Sequence, residues 1–155
     1  MDFAAKDLAF AIGHHVLIFA LAAVIAFEVG VVKPGLTAKD IARVGKADAW
    51  YGILAVLILV VGFARAVFAA KGWDYYSHNH FFWAKIGAFA LVGLLSIQPT
   101  VQYIRWRRTL KADPAFLPSD GAIQTVRRFL WLEVFFFAWI PIFAAAMARG
   151  YGAMP

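Results

Sequence analysis

The sequence predicts an all-α membrane protein: an antiparallel bundle of four transmembrane helices with a short cytoplasmic interfacial helix. Hydrophobic residues make up 63% of its 155 residues, whereas a soluble domain is usually about 45–50% apolar. The mean hydropathy is +0.73. Four apolar windows exceed the roughly 20 residues that a helix needs to cross a membrane, and they are approximately 8–31, 49–70, 81–104 and 126–147. They do not alternate polar and apolar residues as membrane β-strands do. We expect one domain over residues 1–155.

The first apolar window is predicted to be a retained helix and not a cleaved signal peptide. The residues before it carry Asp2 and Asp7 against Lys6, whereas a signal peptide begins with a positively charged segment. The pair His14-His15 then interrupts the apolar run. We therefore expect this helix to remain in the protein.

Basic residues are concentrated on one side of the predicted bundle. Ten lie in or beside the first and third connectors: Lys33, Lys39, Arg43, Lys46, Arg105, Arg107, Arg108, Lys111, Arg127 and Arg128. Only three lie on the opposite side: Lys6, Lys71 and Arg149. Because lysine and arginine are retained in the cytoplasm, we predict a bacterial inner-membrane protein with both termini in the periplasm. This topology and contact with anionic lipid explain the net charge of +6, so nucleic acid is not expected as a partner.

The first connector is predicted to contain a turn and a short helix. Thr37 and Asp40 have the spacing of a capping box, which favours an interfacial helix over residues 38–46. Asp48 is then expected to cap the second membrane helix and to pair with Arg43.

The stretch from Gly72 to Lys85 joins the second and third windows and is rich in polar and aromatic residues. We expect a loop here, followed by the third membrane helix from about Phe81. Pro99 in the third window and Pro141 in the fourth are expected to kink their helices, since each removes a backbone hydrogen bond. The connector from Lys111 to Asp120 is expected to be exposed.

Three ionisable residues are predicted to lie at one depth near the outer surface. Counted from the helix ends at 1.5 Å per residue, His15, Arg65 and Lys85 lie roughly 6–10 Å below that surface. They belong to three different helices, so they can converge inside the bundle, beneath a lid formed by Tyr75, Tyr76, His78 and His80. Adjacent residues on a helix point about 100° apart, so His14 and His15 are not both expected to face one ligand. The alternative is that Arg65 and Lys85 extend to the interface and the histidines satisfy local backbone groups.

A second polar set is predicted near the inner side: Glu28, Arg43, Asp48, Gln98 and Glu133. Capping, local ion pairing and hydration explain most of this set. Glu133 is the exception, because it lies among Leu, Trp, Val and Phe residues.

Several ligands would fit the outer set. A haem needs an imidazole ligand and cations for its propionates, which His15, with His78 or His80 as a second ligand, and Arg65 with Lys85 would supply. An anion or a quinone would use the same donors. A bare zinc site is disfavoured because no carboxylate-rich or cysteine ligand set accompanies the histidines, and the absence of cysteine excludes thiol catalysis and thiolate ligands.

Parts of the sequence resemble a bacterial family of inner-membrane proteins with a domain of unknown function. The resemblance covers about residues 13–107 and includes His15, the stretch 43–52, Pro99 with Trp106, and the pattern Tyr75-Tyr76-x-x-Asn79-x-x-Phe82-x-x-Lys85. That family is distantly similar to HemJ-type protoporphyrinogen oxidases and to CopD-like copper-resistance proteins. The similarity implies that His15 is a haem-linked histidine and that Lys85 belongs to the site. The HemJ signature of Trp and Pro-Arg is replaced here by Phe27-Glu28-Val29.

From the sequence we therefore expect a protein that binds haem b or a related tetrapyrrole near its outer side, as an oxidoreductase or electron-transfer protein. The cofactor-binding residues are expected to be His15, Arg65, Tyr75, Tyr76, His78 and Lys85, with His15 as the iron ligand. A homo-oligomer and a redox partner are expected in the lipid bilayer. The alternatives are a small-molecule or proton transporter or channel, with Glu133 as an inner acceptor, and an accessory subunit of a larger complex.

Overall fold

The computed structural model describes residues 3–68 and 72–154, and that part of the chain contains helices and no strand. The helices are α1 (Phe3–Val31), α2 (Ala38–Phe68), α3 (Gly72–Ser77), α4 (His80–Ala112) and α5 (Asp120–Ala148). The four long helices are each long and apolar enough to cross a membrane. The prediction of an all-α protein with four membrane helices is confirmed.

The long helices form two hairpins that pack side by side. α1 packs along α2, and α4 packs along α5. The connectors within the hairpins, 32–37 and 113–119, are short, so the helices of each hairpin run antiparallel. The hairpins meet where α2 borders α4 and where α1 borders α5. Large apolar side chains such as Phe19 and Leu94 remain exposed on the outside of the bundle, where lipid would cover them.

The predicted break between the interfacial helix and the second span is wrong. Residues 38–46 are the first part of α2, which continues to Phe68, because neither proline nor glycine interrupts the chain between Lys46 and Trp50. The predicted role of Asp48 as a cap is also wrong. Its carboxylate accepts a hydrogen bond from Thr100 on α4 at 2.6 Å, while Arg43 pairs with Asp40 at 3.6 Å.

The capping box at the start of α2 is confirmed. The backbone N–H of Thr37 donates to the Asp40 carboxylate, and the backbone N–H of Asp40 donates to the Thr37 hydroxyl, both at 3.2 Å. These bonds give two backbone donors at the helix start a partner. They fix the point at which the chain leaves the turn at Gly35, whose φ of +85° suits glycine.

The membrane helices extend beyond the apolar windows. α4 reaches Ala112 and α5 begins at Asp120, because hydropathy marks the part of a helix inside lipid and not its polar ends. Ser119 caps α5 by accepting a hydrogen bond from the backbone N–H of Ala122. Helices α4 and α5 continue through Pro99 and Pro141. The predicted end of the second helix at Ala70 lies outside the described residues, as do Asp2 and Lys71.

The inner end of the bundle, which carries the connectors 32–37 and 113–119, has its own apolar core. Buried residues from α2, α4, α5 and the first connector form it, and the end of α1 packs against them: Val32, Leu36, Ile41, Val44, Tyr103, Trp106, Ile123, Val126 and Leu130. Arg127 closes one side. Its guanidinium donates to the backbone carbonyls of Val32 and Val29, at 2.5 and 3.4 Å, and so binds carbonyls that the end of α1 leaves without helical partners.

We expect Arg127→Ala to lower the free energy of unfolding of the purified protein in detergent by about 2 kcal/mol, because hydrogen bonds from a charged donor contribute about 1.5–3 kcal/mol. The matched control is Arg128→Ala, since Arg128 is exposed at the next position. Thermal unfolding followed by circular dichroism measures both. Equal melting temperatures for the two variants would show that the carbonyl contacts contribute nothing.

Candidate functional site

A cavity opens near the outer end of the bundle, the end that carries α3 and the residues after α5. Its wider lobe has a volume of about 1510 Å³ with its mouth included, and a deeper lobe has about 520 Å³. We call the two lobes together the outer cavity. Six polar residues line the wider lobe: His14, His15, Arg65, Tyr75, Tyr76 and Lys85. Phe82, Phe137 and Ile140 contribute apolar wall to both lobes.

The two adjacent histidines of α1 have different surroundings. His15 Nδ1 lies 2.6 Å from the carbonyl oxygen of Ala11. A carbonyl only accepts hydrogen bonds, so Nδ1 is the donor in this contact, and in the neutral imidazole the lone pair is then on Nε2. His14 faces inward instead and lies against Gly62 on α2. Its Nδ1 is buried and has no hydrogen-bond partner among the described residues.

Both histidines line the wider lobe, whereas the helical geometry favoured only one of them. The lobe extends around one side of α1 as far as Phe19 and Ala22, so it meets the faces of both residues. Only His14 also lines the deeper lobe. Gly62 leaves room for the imidazole of His14, since a Cβ at residue 62 would lie only 3.0 Å from that ring. His14 is not among the site residues predicted from the sequence, for which Gly62, at the same depth in the next helix, was the available signal.

Two cations complete the polar wall. Arg65, in the last turn of α2, has a buried Nε without a hydrogen-bond partner in the described part of the chain. Lys85 places its Nζ 5.3 Å from the centroid of the Phe82 ring, within the range of a cation–π interaction. The ion pairs found among residues 3–68 and 72–154 involve neither cation. The structure thus brings His15, Arg65 and Lys85 from three helices to one cavity.

The predicted lid is divided between two locations. Tyr75 and Tyr76 lie on α3 and border the cavity, and the Tyr75 hydroxyl donates to the carbonyl of Met147 at 3.0 Å. His78 and His80 are exposed and lie outside the cavity lining. The segment expected to be a loop forms α3, and His78 turns back to Asp74, with 3.4 Å between its Nδ1 and the carboxylate.

The residues after α5, 150–154, attach to the junction between α3 and α4, and we call them the tail. The backbone N–H of His80 donates to Gly152 O at 2.8 Å, and that of Met154 donates to His78 O at 2.9 Å. Asn79 is buried and caps α4, because its side-chain oxygen accepts a hydrogen bond from the backbone N–H of Phe81. Its side-chain amide donates to Tyr151 O at 3.0 Å. This attachment was not predicted from the sequence, in which the glycines of the tail are the only local indication of it.

The chemistry of the outer cavity follows from its donors and walls. Two guanidinium or ammonium groups without ion-pair partners among the described residues attract an anion, and the imidazoles offer lone pairs. The rest of the wall is apolar. This combination suits a ligand with an apolar body and an anionic group.

These features define a polytopic four-helix membrane protein with a polar-lined cavity near one end. The chain belongs to the family described as "Predicted membrane protein (DUF2214)", whose model matches residues 6–152. The match therefore spans all four long helices. Comparison with curated proteins and comparison with solved structures each give no match. The resemblance to a membrane family with a domain of unknown function is supported, while the similarity to HemJ-type and CopD-like proteins stays a prediction.

The tail attachment predicts a difference between two glycines. Gly150 and Gly152 have φ values of +84° and +83°, so alanine at either position costs roughly 1–2 kcal/mol in backbone strain. Only at Gly152 would the new Cβ also collide with a neighbour, at 2.5 Å from Phe81 Cδ2, whereas Gly150 has open space. We expect Gly152→Ala to expose the tail to carboxypeptidase digestion more than Gly150→Ala does. Equal digestion of the two variants would contradict the packing of Gly152 on Phe81.

Proposed function

We propose that the outer cavity binds haem b or a related tetrapyrrole, and that the protein takes part in electron transfer or tetrapyrrole oxidation. The observation that supports this most is the state of His15. Its Nδ1 proton is held by the Ala11 carbonyl, and its Nε2 is free to ligate a metal in the wider lobe. Metal-binding histidines are commonly oriented in this way by a backbone carbonyl.

The other cavity residues fit the rest of such a ligand. Arg65 and Lys85 would bind the propionates, since both line the wider lobe and lack ion pairs in the described part of the chain. Phe82 and Phe137 would pack against the ring. Tyr75 and Tyr76 would close the outer side of the site and exclude water. A bound haem iron would supply one-electron redox chemistry.

A metal bound by protein ligands alone fits less well. Among the described residues, no group of three or more histidine, aspartate or glutamate side chains is placed to hold a metal ion. An iron at His15 would need the four nitrogen ligands of a porphyrin to complete its coordination. His78 and His80 are not among the lining residues, and His14 is the better candidate for a second ligand because it lines the same lobe as His15.

The proposal includes the location and partners of the protein. The distribution of basic residues supports a bacterial inner membrane with the basic connectors in the cytoplasm and both termini in the periplasm. The outer cavity would then face the periplasmic half of the bilayer. Assembly into a homo-oligomer and exchange of electrons with a redox partner stay predictions.

We expect the gently purified protein to show a Soret band, with α and β bands after reduction by dithionite. His15→Ala should reduce the haem content at least several-fold, because it removes the iron ligand. The control is His80→Ala, since His80 is exposed and outside the cavity. A featureless visible spectrum that added haem does not change would refute the proposal. Full haem retention by His15→Ala would remove His15 from the ligand role and leave His14 to be tested in the same way.

The orientation can be tested with single cysteines, because the chain has none of its own. Ala115 lies in the connector before α5 and Ala153 lies in the tail, and both are exposed. In intact spheroplasts, a membrane-impermeant maleimide should label Ala153→Cys, while Ala115→Cys should react only after permeabilisation. The reverse pattern would place the outer cavity on the cytoplasmic side.

A further inference from the structure

Three carboxyl groups from three helices lie together toward the inner end of the bundle, and none of them lines the outer cavity. Glu28 belongs to α1, Asp48 to α2 and Glu133 to α5. Glu28 and Glu133 are only 3% and 1% exposed. Glu28 interacts electrostatically with the other two, and Glu133 interacts with Asp48. We call these three residues the inner carboxyl cluster.

The hydrogen bonds of the cluster leave two buried oxygens without a donor. The Tyr103 hydroxyl donates to Glu28 Oε2 at 3.4 Å, and the Thr100 hydroxyl donates to Asp48 at 2.6 Å. The Tyr51 phenol lies close enough to interact with Ser96 and Glu133. Glu28 Oε1 and Glu133 Oε1 are buried and have no hydrogen-bond partner among the described residues. An unpaired carboxylate oxygen in such a place is costly, so its donor has to come from a bound species.

Among residues 3–68 and 72–154, no basic side chain forms an ion pair with the cluster. The titratable groups that face it are Glu28 from α1, Asp48 and Tyr51 from α2, Tyr103 from α4 and Glu133 from α5. The ion pairs of the described residues lie elsewhere, at Asp40 and Asp74. Arg127 lies less than two turns before Glu133 on α5. Its guanidinium, however, is hydrogen-bonded to carbonyls at the end of α1. Three ionised carboxylates without a cation would repel one another inside an apolar bundle.

We propose that the inner carboxyl cluster is a proton-binding site that exchanges protons with the inner side of the membrane through Asp48. A proton on a glutamate removes its charge and provides an O–H donor. The proton is favoured over a metal ion because the described part of the chain offers no group of three acidic or histidine side chains placed to hold one.

The position of Asp48 supports its role as the entry. It is the only partly exposed member of the cluster, and it follows the exposed Lys46 by two residues on α2. On the other side, the buried residues Leu21, Ile25 and Ile58 pack together. They lie along α1 and α2 between the cluster residues and the polar residues of the outer cavity, and Ile58 forms part of the wall of the deeper lobe. The cluster therefore communicates with the inner end of the bundle, and the proposal does not depend on what the outer cavity binds.

Infrared spectroscopy of the full-length protein in lipid nanodiscs tests this proposal, because protonated carboxyl groups have a carbonyl band separate from that of carboxylates. We expect such a band at neutral pH, lost as the pH is raised. Glu28→Gln and Glu133→Gln should each remove part of its intensity. Asp120→Asn is the matched control, because Asp120 is exposed at the start of α5 and should leave the band unchanged.

Two further variants keep the test informative if a glutamine variant fails to fold. Tyr103→Phe removes the donor to Glu28 and should shift the band to higher frequency with its intensity retained. Asp48→Asn should slow the exchange of the band in D₂O several-fold. The proposal is overturned if the wild-type protein lacks the band, or if the band is indifferent to Glu28→Gln, Glu133→Gln and Tyr103→Phe. It is also overturned if sodium, in place of choline at constant pH, abolishes the band, since the cluster would then bind sodium.

Discussion

A polar side chain inside a membrane bundle needs a partner within the protein, because lipid provides no hydrogen bonds. Much of this structure satisfies that requirement through bonds between helices or between a helix and a connecting segment: Thr100 binds Asp48, Arg127 binds the last carbonyls of α1, and Asn79 binds both α4 and the tail. The few buried polar atoms that remain without partners among the described residues therefore stand out. They include His14 Nδ1 and Arg65 Nε near the outer end and the two glutamate oxygens near the inner end.

The two groups of polar residues differ in chemistry as well as in location. The outer cavity contains cations and imidazoles without acidic neighbours in its lining, which suits the anionic, metal-containing ligand that we propose. The inner cluster contains carboxyl groups and hydroxyls without an ion-pair partner in the described part of the chain, which suits the proton site that we propose. The buried apolar residues Leu21 and Ile25 lie between the two groups along α1.

The sequence predicted those features that depend on composition or on near neighbours in the chain. Hydropathy located the four spans, and the spacing of Thr37 and Asp40 identified the capping box. Counting residues from the helix ends was enough to place Arg65 and Lys85 at one depth. The bond between Asp48 and Thr100 joins residues 52 positions apart, and the contact between Tyr75 and Met147 joins residues 72 apart. Such pairs depend on the rotation of each helix within the bundle, which a single sequence does not specify. The same rotation decides which histidine reaches the deeper lobe.

The wider lobe of the outer cavity is bordered by α1 and α5, two helices that also form part of the outside of the bundle. Small residues of α5, Ala144, Ala145 and Ala148, face this border, opposite Phe19 and Ala22 of α1. The tail and α3 are fastened across the end of the bundle above it. A ligand dissolved in the bilayer would therefore approach from the side, by diffusion in two dimensions. Its occupancy would follow its partition into lipid, and a compound that is scarce in water could still saturate the site.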